Sequence, residues 1–395
     1  MPVNYQQIRQ QVQEQVKLAP ARRKILQERL QQARELLATH AANLDALRDK
    51  VEQAAAADKN LRCAIPLGEK LNYCRGVIEP SEYPLLLAAD GSQINPNRHD
   101  AVEFGLVNVG VIRLTPARIA TPLETTSSDL YLYANPDEDT RPLTEELVRL
   151  MRDYKERRVL AELAGKEPGT VLTLTDGPLE LFREPRDDAQ FDRLFEQVLD
   201  EMEKLAAMNI ITAGYVDRPR ADLVLRLLEL TLYPAGNFQQ ASREHRLSGV
   251  RDIDLYGELL APGERSAIFA IQSLTASKFS RRGNGQLALH FFYLNVGSAG
   301  KPYLVRVELP AWVSHQPEMV DLLQATLLQQ CRQMGARPYP YALHRAHEIA
   351  LVSFQEKQQL QNMIDAEMRR AGLEPGEKTH KQSAKDLEGR KRYKA

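Results

Sequence analysis

Two apolar runs of this sequence end in the same way. "PLLLAAD" closes on Asp90 and "VLTLTD" closes on Asp176, and a glycine follows each aspartate, Gly91 and Gly177. A strand can stop at an Asp-Gly turn for purely local reasons, and that explains a lone example. A repeated example admits a second reading. If the two strands are neighbours, their carboxylates converge at one end of a sheet as hard oxygen ligands for Mg²⁺ or Mn²⁺. Metal-dependent phosphate chemistry requires such a pair.

Two further segments offer acids and bases. In the helical stretch Arg141–Gly165, Leu147, Leu150, Met151 and Tyr154 form an apolar face at three- and four-residue spacing. Continued through Arg158, that face reaches Glu162, whereas Glu156 lies about 180° from Leu147 at ~100° per residue. A carboxylate on a buried face must be paired or bind a cation. Glu162 is therefore the candidate third acid, with an ion pair to Arg158 as the ordinary alternative.

Near the C-terminus, "RPYPYALHRAHEIALV" gathers His344, His347 and Glu348 within about a turn. His347 shares a face with Ala350, Leu351 and Phe354 and is expected to point inward. A lone inward histidine commonly just satisfies the core, but beside gathered carboxylates it can complete a metal site or carry a proton. Tyr339 and Tyr341 can stack on bases or fill the surface where this helix begins.

The elements that must position these residues alternate in type. Strand-like runs at "PLLLAAD", "AVEFGLVNVGVIRL", "VLTLTDGPL" and "NIITAGYVD" are separated by helical stretches, of which residues 190–208 are the clearest. Further strands follow at "SAIFAIQSL", "LALHFFYLNVG" and "YLVRVELP", then a helix at 317–335 and a second from about 341 to 370. Strands mixed with helices point to an α/β fold with a mixed sheet. Ahead of this core, Leu26, Leu30, Ala33, Leu37, Leu44, Leu47 and Val51 form a heptad seam, and Ile8, Val12 and Val16 a shorter stripe. The expected organisation is an N-terminal helical, coiled-coil-like arm at 1–60, a core at 61–370 and a basic tail at 371–395. The seam can pack on its own domain or on a partner helix.

Composition excludes several classes. The chain has 395 residues, 43% hydrophobic and 27% charged, as an ordinary globular protein has. The net charge of −1 supplies no global attraction for nucleic acid, so any such binding needs a local patch. Lys378 and Lys381 in the basic tail are candidates for phosphate contacts. The three cysteines show neither metal-site spacing nor a disulfide framework. The polar N-terminal stretch lacks the apolar core of a signal peptide, so a cytoplasmic location is expected.

Taken in order, "LLLAADGSQI", "VLTLTDGPLELF", "FFYLNVG" with "YLVRVELPAWV", and "YPYALHRAHEIALV" resemble the NurA nuclease family over residues 84 to 357. The resemblance implies a ribonuclease H-like mixed sheet flanked by helices. It further implies a Mn²⁺-dependent (or Mg²⁺-dependent) deoxyribonuclease with single-strand endonuclease and 5′–3′ exonuclease activity. Such an enzyme would act in end resection and DNA repair, as a homodimer, with a HerA-type hexameric ATPase. By motif, Asp90, Asp176 and His347 take the family's aspartates and late histidine. The glutamate of the preceding helix is assigned to Glu162, with Glu156 as the alternative. These four residues would bind metal and catalyse, and Arg158, Tyr339, Tyr341, Lys378 and Lys381 would contact DNA. A non-catalytic repair scaffold of the same fold and a metal-dependent nucleotide phosphatase are the competing readings.

Overall fold

The apolar runs that end in Asp-Gly become adjacent strands. The structure is a computed structural model and describes residues 3–97, 102–115, 121–132, 144–181, 189–234, 237–238 and 244–373. Lys378 and Lys381 lie outside the described residues. Helices α1 (Tyr5–Lys17), α2 (Ala19–His40) and α3 (Leu44–Ala57) open the chain. Strands β1 (Cys63–Pro66), β2 (Cys74–Arg75), β3 (Leu85–Ile94), β4 (Phe104–Leu114) and β5 (Leu123–Leu132) follow. Then come α4 (Glu145–Ala164), β6 (Val171–Asp176), α5 (Ala189–Ala207), β7 (Ile211–Val216) and α6 (Leu223–Glu229). Next are α7 (Asp252–Tyr256), β8 (Arg265–Ser266), β9 (Phe269–Gln272), α8 (Ala276–Ser280), β10 (Leu289–Asn295) and β11 (Leu304–Pro310). Helices α9 (Ala311–Ser314), α10 (Pro317–Gln333), α11 (Tyr341–Ala350) and α12 (Phe354–Arg370) close the described chain.

The chain divides into two units. The first comprises Met1–Pro80, Gly177–Arg183 and Ala213–Pro338. In it β1, β9, β10 and β11 pair antiparallel in that order, and β11 pairs with β7 from Gly214 to Val216. The heptad seam packs inside this unit: Ala33, Leu37, Leu47 and Val51 are all buried. The stripe of α1 behaves differently, with Ile8, Val12 and Val16 exposed. Buried carboxylates here serve the backbone. Asp252 accepts from the amides of Val224 and Leu225 at 3.0 and 2.9 Å, capping α6, and from the Tyr293 hydroxyl at 2.7 Å.

The second unit comprises Ser81–Asp176, Glu184–Thr212 and Tyr339–Ala395 and carries the acids of interest. Strands β3, β4 and β5 form an antiparallel meander, and β6 lies parallel to β3 on its other side. The run "AVEFGLVNVGVIRL" is thus one long strand rather than a hairpin. Helix α4 packs against β3, β4 and α5, while α11 packs against β3 and β4. A cluster of Ile94, Val102, Phe104, Leu106 and Ile364, with Val352, Leu360 and Met368 against it, holds α12 to the sheet.

Two expectations are corrected at this level. The first strand does not stop at Asp90 but continues to Ile94, so Gly91 is a mid-strand residue and not a turn. Gly177, by contrast, ends its strand with φ of +89°, which is a glycine conformation. The helix expected from 341 to 370 is two helices. Leu351 leaves helical geometry with ψ of 130°, and Ser353 with Glu356 forms a capping box that starts α12.

That break exposes the last carbonyl of α11 to other donors. Ala350 O accepts from Ser92 Oγ at 2.5 Å and from Asn108 Nδ2 at 2.8 Å, and Asn108 Oδ1 accepts from Ser128 Oγ at 2.6 Å. Gly110 lets the helix approach this closely. A Cβ there would lie 2.5 Å from Ala350 N and 2.7 Å from Ala346 O, both backbone atoms that cannot rotate away. Gly110→Ala should therefore destabilise the fold by roughly 1–3 kcal/mol, the usual cost of overpacking. Urea denaturation of the purified variant checks this, and an unchanged midpoint would refute the close packing.

Candidate active site

Strand register brings the two aspartates together. In the parallel pair, Ala89 faces Thr175, and Asp90 and Asp176 are the next residues of β3 and β6. Side chains alternate in direction along a strand, so residues at one level of adjacent parallel strands share a face. Their backbones are separated by the usual inter-strand spacing of about 4.8 Å. Asp176 ends β6 on the surface, while the Asp90 side chain is 16% exposed.

Asp90 is held from two directions. Its Oδ1 accepts from the Gly91 amide at 2.9 Å, and its Oδ2 lies 2.6 Å from His347 Nδ1. An ionised carboxylate only accepts, so the ring proton sits on Nδ1. His347 was expected to face inward, but the buried face of α11 consists of Ala342, Leu343, Ala346 and Ala350. The imidazole is 57% exposed and stands at the rim, tied to Asp90. His344 instead lies 3.6 Å from Glu348 on the surface.

The third acid differs from the one assigned. Glu162 is 52% exposed and its Oε1 accepts from Arg158 Nε at 2.8 Å, an ordinary surface pair. Glu156 is the buried one, at 5% exposure. The apolar stripe misleads because α4 is covered on more than one side, with Leu147 and Leu150 buried as well as Lys155, Glu156, Val159 and Leu160. Extrapolating one face therefore missed the acid on another.

Glu156 packs over the bare backbone of Gly91, which has no side chain to exclude it. A Cβ on Gly91 would fall 2.6 Å from Glu156 Oε1 and 2.5 Å from Arg152 Cγ. Burial pushes the Glu156 carboxyl up to about 8, and the charges of Asp153 and Asp90 push it the same way, against Arg152 and Arg157. Burial dominates that shift, and the nearby positive charge does not offset it. Arg152, which the sequence reading passed over, supplies part of that charge, with Nη2 3.0 Å from Asp153 and Nε 3.5 Å from Glu156. A second overlooked cation is Lys155, buried and 2.6 Å from Asp129 of β5.

The other assigned residues lie apart from this chemistry. Arg158 is spent on Glu162 at the surface, and Tyr339 and Tyr341 are half-buried at the start of α11. The donor types of Asp90, Asp176 and Glu156 are those a hard divalent cation takes. Among the described residues, no three acidic, histidine or cysteine groups stand in ligating geometry.

A model of the NurA domain matches residues 84–352. The chain belongs to the NurA family. The crystal structure of the NurA nuclease from Sulfolobus solfataricus aligns with a TM-score of 0.50 at 13% identity, over 76% of this chain and 88% of that one. The catalytic domain of human endonuclease V aligns at 0.30 and 11% identity, over 73% and 92% of the two chains. LC9-RNase H1 aligns at 0.22 and 12%, over 36% and 67%. The Sulfolobus alignment alone carries weight for the fold. No curated protein matches by sequence. The NurA domain here contains a three-stranded meander, a helix and a strand parallel to the first. No helix among the described residues is long and apolar enough to cross a membrane.

The raised Glu156 carboxyl has a pH signature in metal-free protein. The folded state holds this proton up to about 8, whereas an unfolded glutamate releases it near its ordinary value of about 4.5. The stability it contributes is complete below the unfolded value and is lost as pH rises through the folded one. With EDTA present, the melting temperature should fall by a few degrees more between pH 5 and pH 9 in the wild type than in Glu156→Gln. Parallel curves would mean that Glu156 is not the titrating group.

Proposed function

We propose that this NurA-family chain is a divalent-metal-dependent deoxyribonuclease, with Asp90, Asp176 and Glu156 holding Mn²⁺ or Mg²⁺. The observation that supports the reading is the β3–β6 register, which puts Asp90 and Asp176 at one level of adjacent parallel strands, with Glu156 buried against the neighbouring Gly91. A cation bound there would supply charge for the scissile phosphate and lower the pKa of a bound water.

The chain's own residues do the remaining work. Asp90 and His347 form a carboxylate–imidazole pair at an exposed rim, where the ring can exchange a proton with solvent at its second nitrogen. The clasp on Ala350 O fixes α11 and with it the position of that ring. Tyr339 and Tyr341, at the start of the same helix, suit stacking on unpaired bases. Lys378 and Lys381 suit phosphate contacts that position a strand without reading its sequence.

The substrate proposed is single-stranded DNA and DNA ends, cut endonucleolytically and resected 5′ to 3′ in repair. The proposed assembly is a homodimer working with a HerA-type hexameric ATPase. The exposed α1 stripe of Ile8, Val12 and Val16 is the part of the N-terminal helices left over for such contacts.

An end-labelled single strand incubated with Mn²⁺ tests the activity and the ligand assignment together. Asp90→Asn, Asp176→Asn and Glu156→Gln should each lower the rate by roughly 10²-fold or more, as loss of a group acting on the metal does. Glu162→Gln should stay within about twofold, because surface ion pairs contribute little. A fully active Asp90→Asn variant that folds normally would sink the mechanism. A second measurement addresses the partner: co-purification with the cognate ATPase should be lost when Ile8, Val12 and Val16 are changed to serine. Retention would place that contact elsewhere.

A further inference from the structure

One cation is already built into the acidic cluster. The stem of Arg152 lies across the bare backbone of Gly91, where a Cβ would fall 2.5 Å from its Cγ and 2.9 Å from its Cδ. From there the guanidinium reaches Asp153 Oδ1 at 3.0 Å through Nη2 and Glu156 Oε1 at 3.5 Å through Nε. The charges of Asp153, Glu156 and Asp90 all favour its protonated form. Its side chain is only 30% exposed. Arg152 thus pairs with Glu156, one of the carboxylates proposed to ligate a divalent cation.

A guanidinium and a metal ion cannot both claim one carboxylate oxygen at full strength. The ion requires close oxygen contacts, and its double charge repels a guanidinium held a few ångströms away. An always-protonated arginine cannot escape this conflict by losing its proton. Its stem, however, rests on a glycine with no side chain to trap it, so the head group is free to swing outward.

We infer that Arg152 is an internal counter-cation that holds the Glu156 carboxylate without metal and is displaced when a divalent ion binds. The inference rests on the metal-site reading of Asp90, Asp176 and Glu156. Arg152 thereby weakens metal binding and stabilises the empty site. Once displaced, its charge stands at the rim of the cluster, where an entering phosphate passes.

Titration of MnCl₂, and separately MgCl₂, into metal-free protein by calorimetry tests this without any substrate. Arg152→Gln should bind Mn²⁺ roughly tenfold more tightly than the wild type, since a repelling charge has gone. Its melting temperature in EDTA should drop, and saturating Mn²⁺ should restore most of the difference. Equal or weaker Mn²⁺ binding by a folded Arg152→Gln would overturn the inference while leaving the metal site in place. Folded wild type and variant that both fail to bind either ion would overturn the metal-site reading itself. If Arg152→Gln does not fold even with Mn²⁺, Arg152→Lys decides. A lysine keeps the charge but lacks the two-pronged fork, so its affinity should exceed that of the wild type, and no increase would overturn the inference.

Discussion

Carboxylates repel one another and lose hydration when gathered, so a fold that collects them must fix them by forces stronger than that repulsion. Here the force is the hydrogen-bonded ladder between β3 and β6. Parallel pairing from Leu85 opposite Val171 to Ala89 opposite Thr175 leaves no freedom in where Asp90 and Asp176 come to lie. The residues behind them are fully buried aliphatic side chains such as Leu87, Ala88, Leu172 and Leu174. A one-residue slip would turn that whole apolar set to the wrong face. The acidic pair is thus held by the core, and the rest of the site is arranged around it.

Two glycines on neighbouring strands serve the opposite faces of this sheet. Gly91 admits the α4 side chains Arg152 and Glu156, and Gly110 admits the backbone of α11. Asp90 pairs with Gly110 across β3 and β4, and Gly91 is the next residue along β3, so the two close approaches fall at adjacent levels. As a result Asp90 has His347 on one side and the Glu156–Arg152 pair beyond the other. The Ser128–Asn108–Ala350 chain of hydrogen bonds then locks the end of the helix that carries the histidine. Acid, base and counter-charge are all positioned by missing side chains and by one helix terminus.

The buried acids of the other unit make a useful contrast. Asp252 is also pushed up by burial, to about 7, but it accepts from two amides and a tyrosine hydroxyl. Glu308 accepts from the amides of Leu179 and Glu180 at 2.8 and 3.2 Å and pairs with Arg306. Those carboxylates are satisfied by backbone donors and hold the chain together. Glu156 instead lies among charged side chains of both signs, Asp153 and Asp90 with Arg152 and Arg157.

Much was legible in the sequence. The period-two and aliphatic runs marked β3, β4, β6, β7, β10 and β11, and the two Asp-Gly pairs marked the acids, because strand formation and its turn chemistry are local. The capping box at Ser353 and Glu356 is equally local, yet the sequence reading ran one helix through it from about 341 to 370. The family followed from motif order, and the comparisons bear it out. Which glutamate of α4 is buried was not legible. A helix covered on several sides has no single inward stripe, so Glu162 appeared buried and Glu156 exposed, the reverse of what packing produces. Nor was the purpose of Gly91, read as a turn, since only a helix arriving from about sixty residues further along the chain makes the space above it matter. The sequence by itself determined the strands and the types of the candidate acids. Tertiary structure alone decided which side chains meet, because those meetings depend on long-range packing that no local pattern encodes.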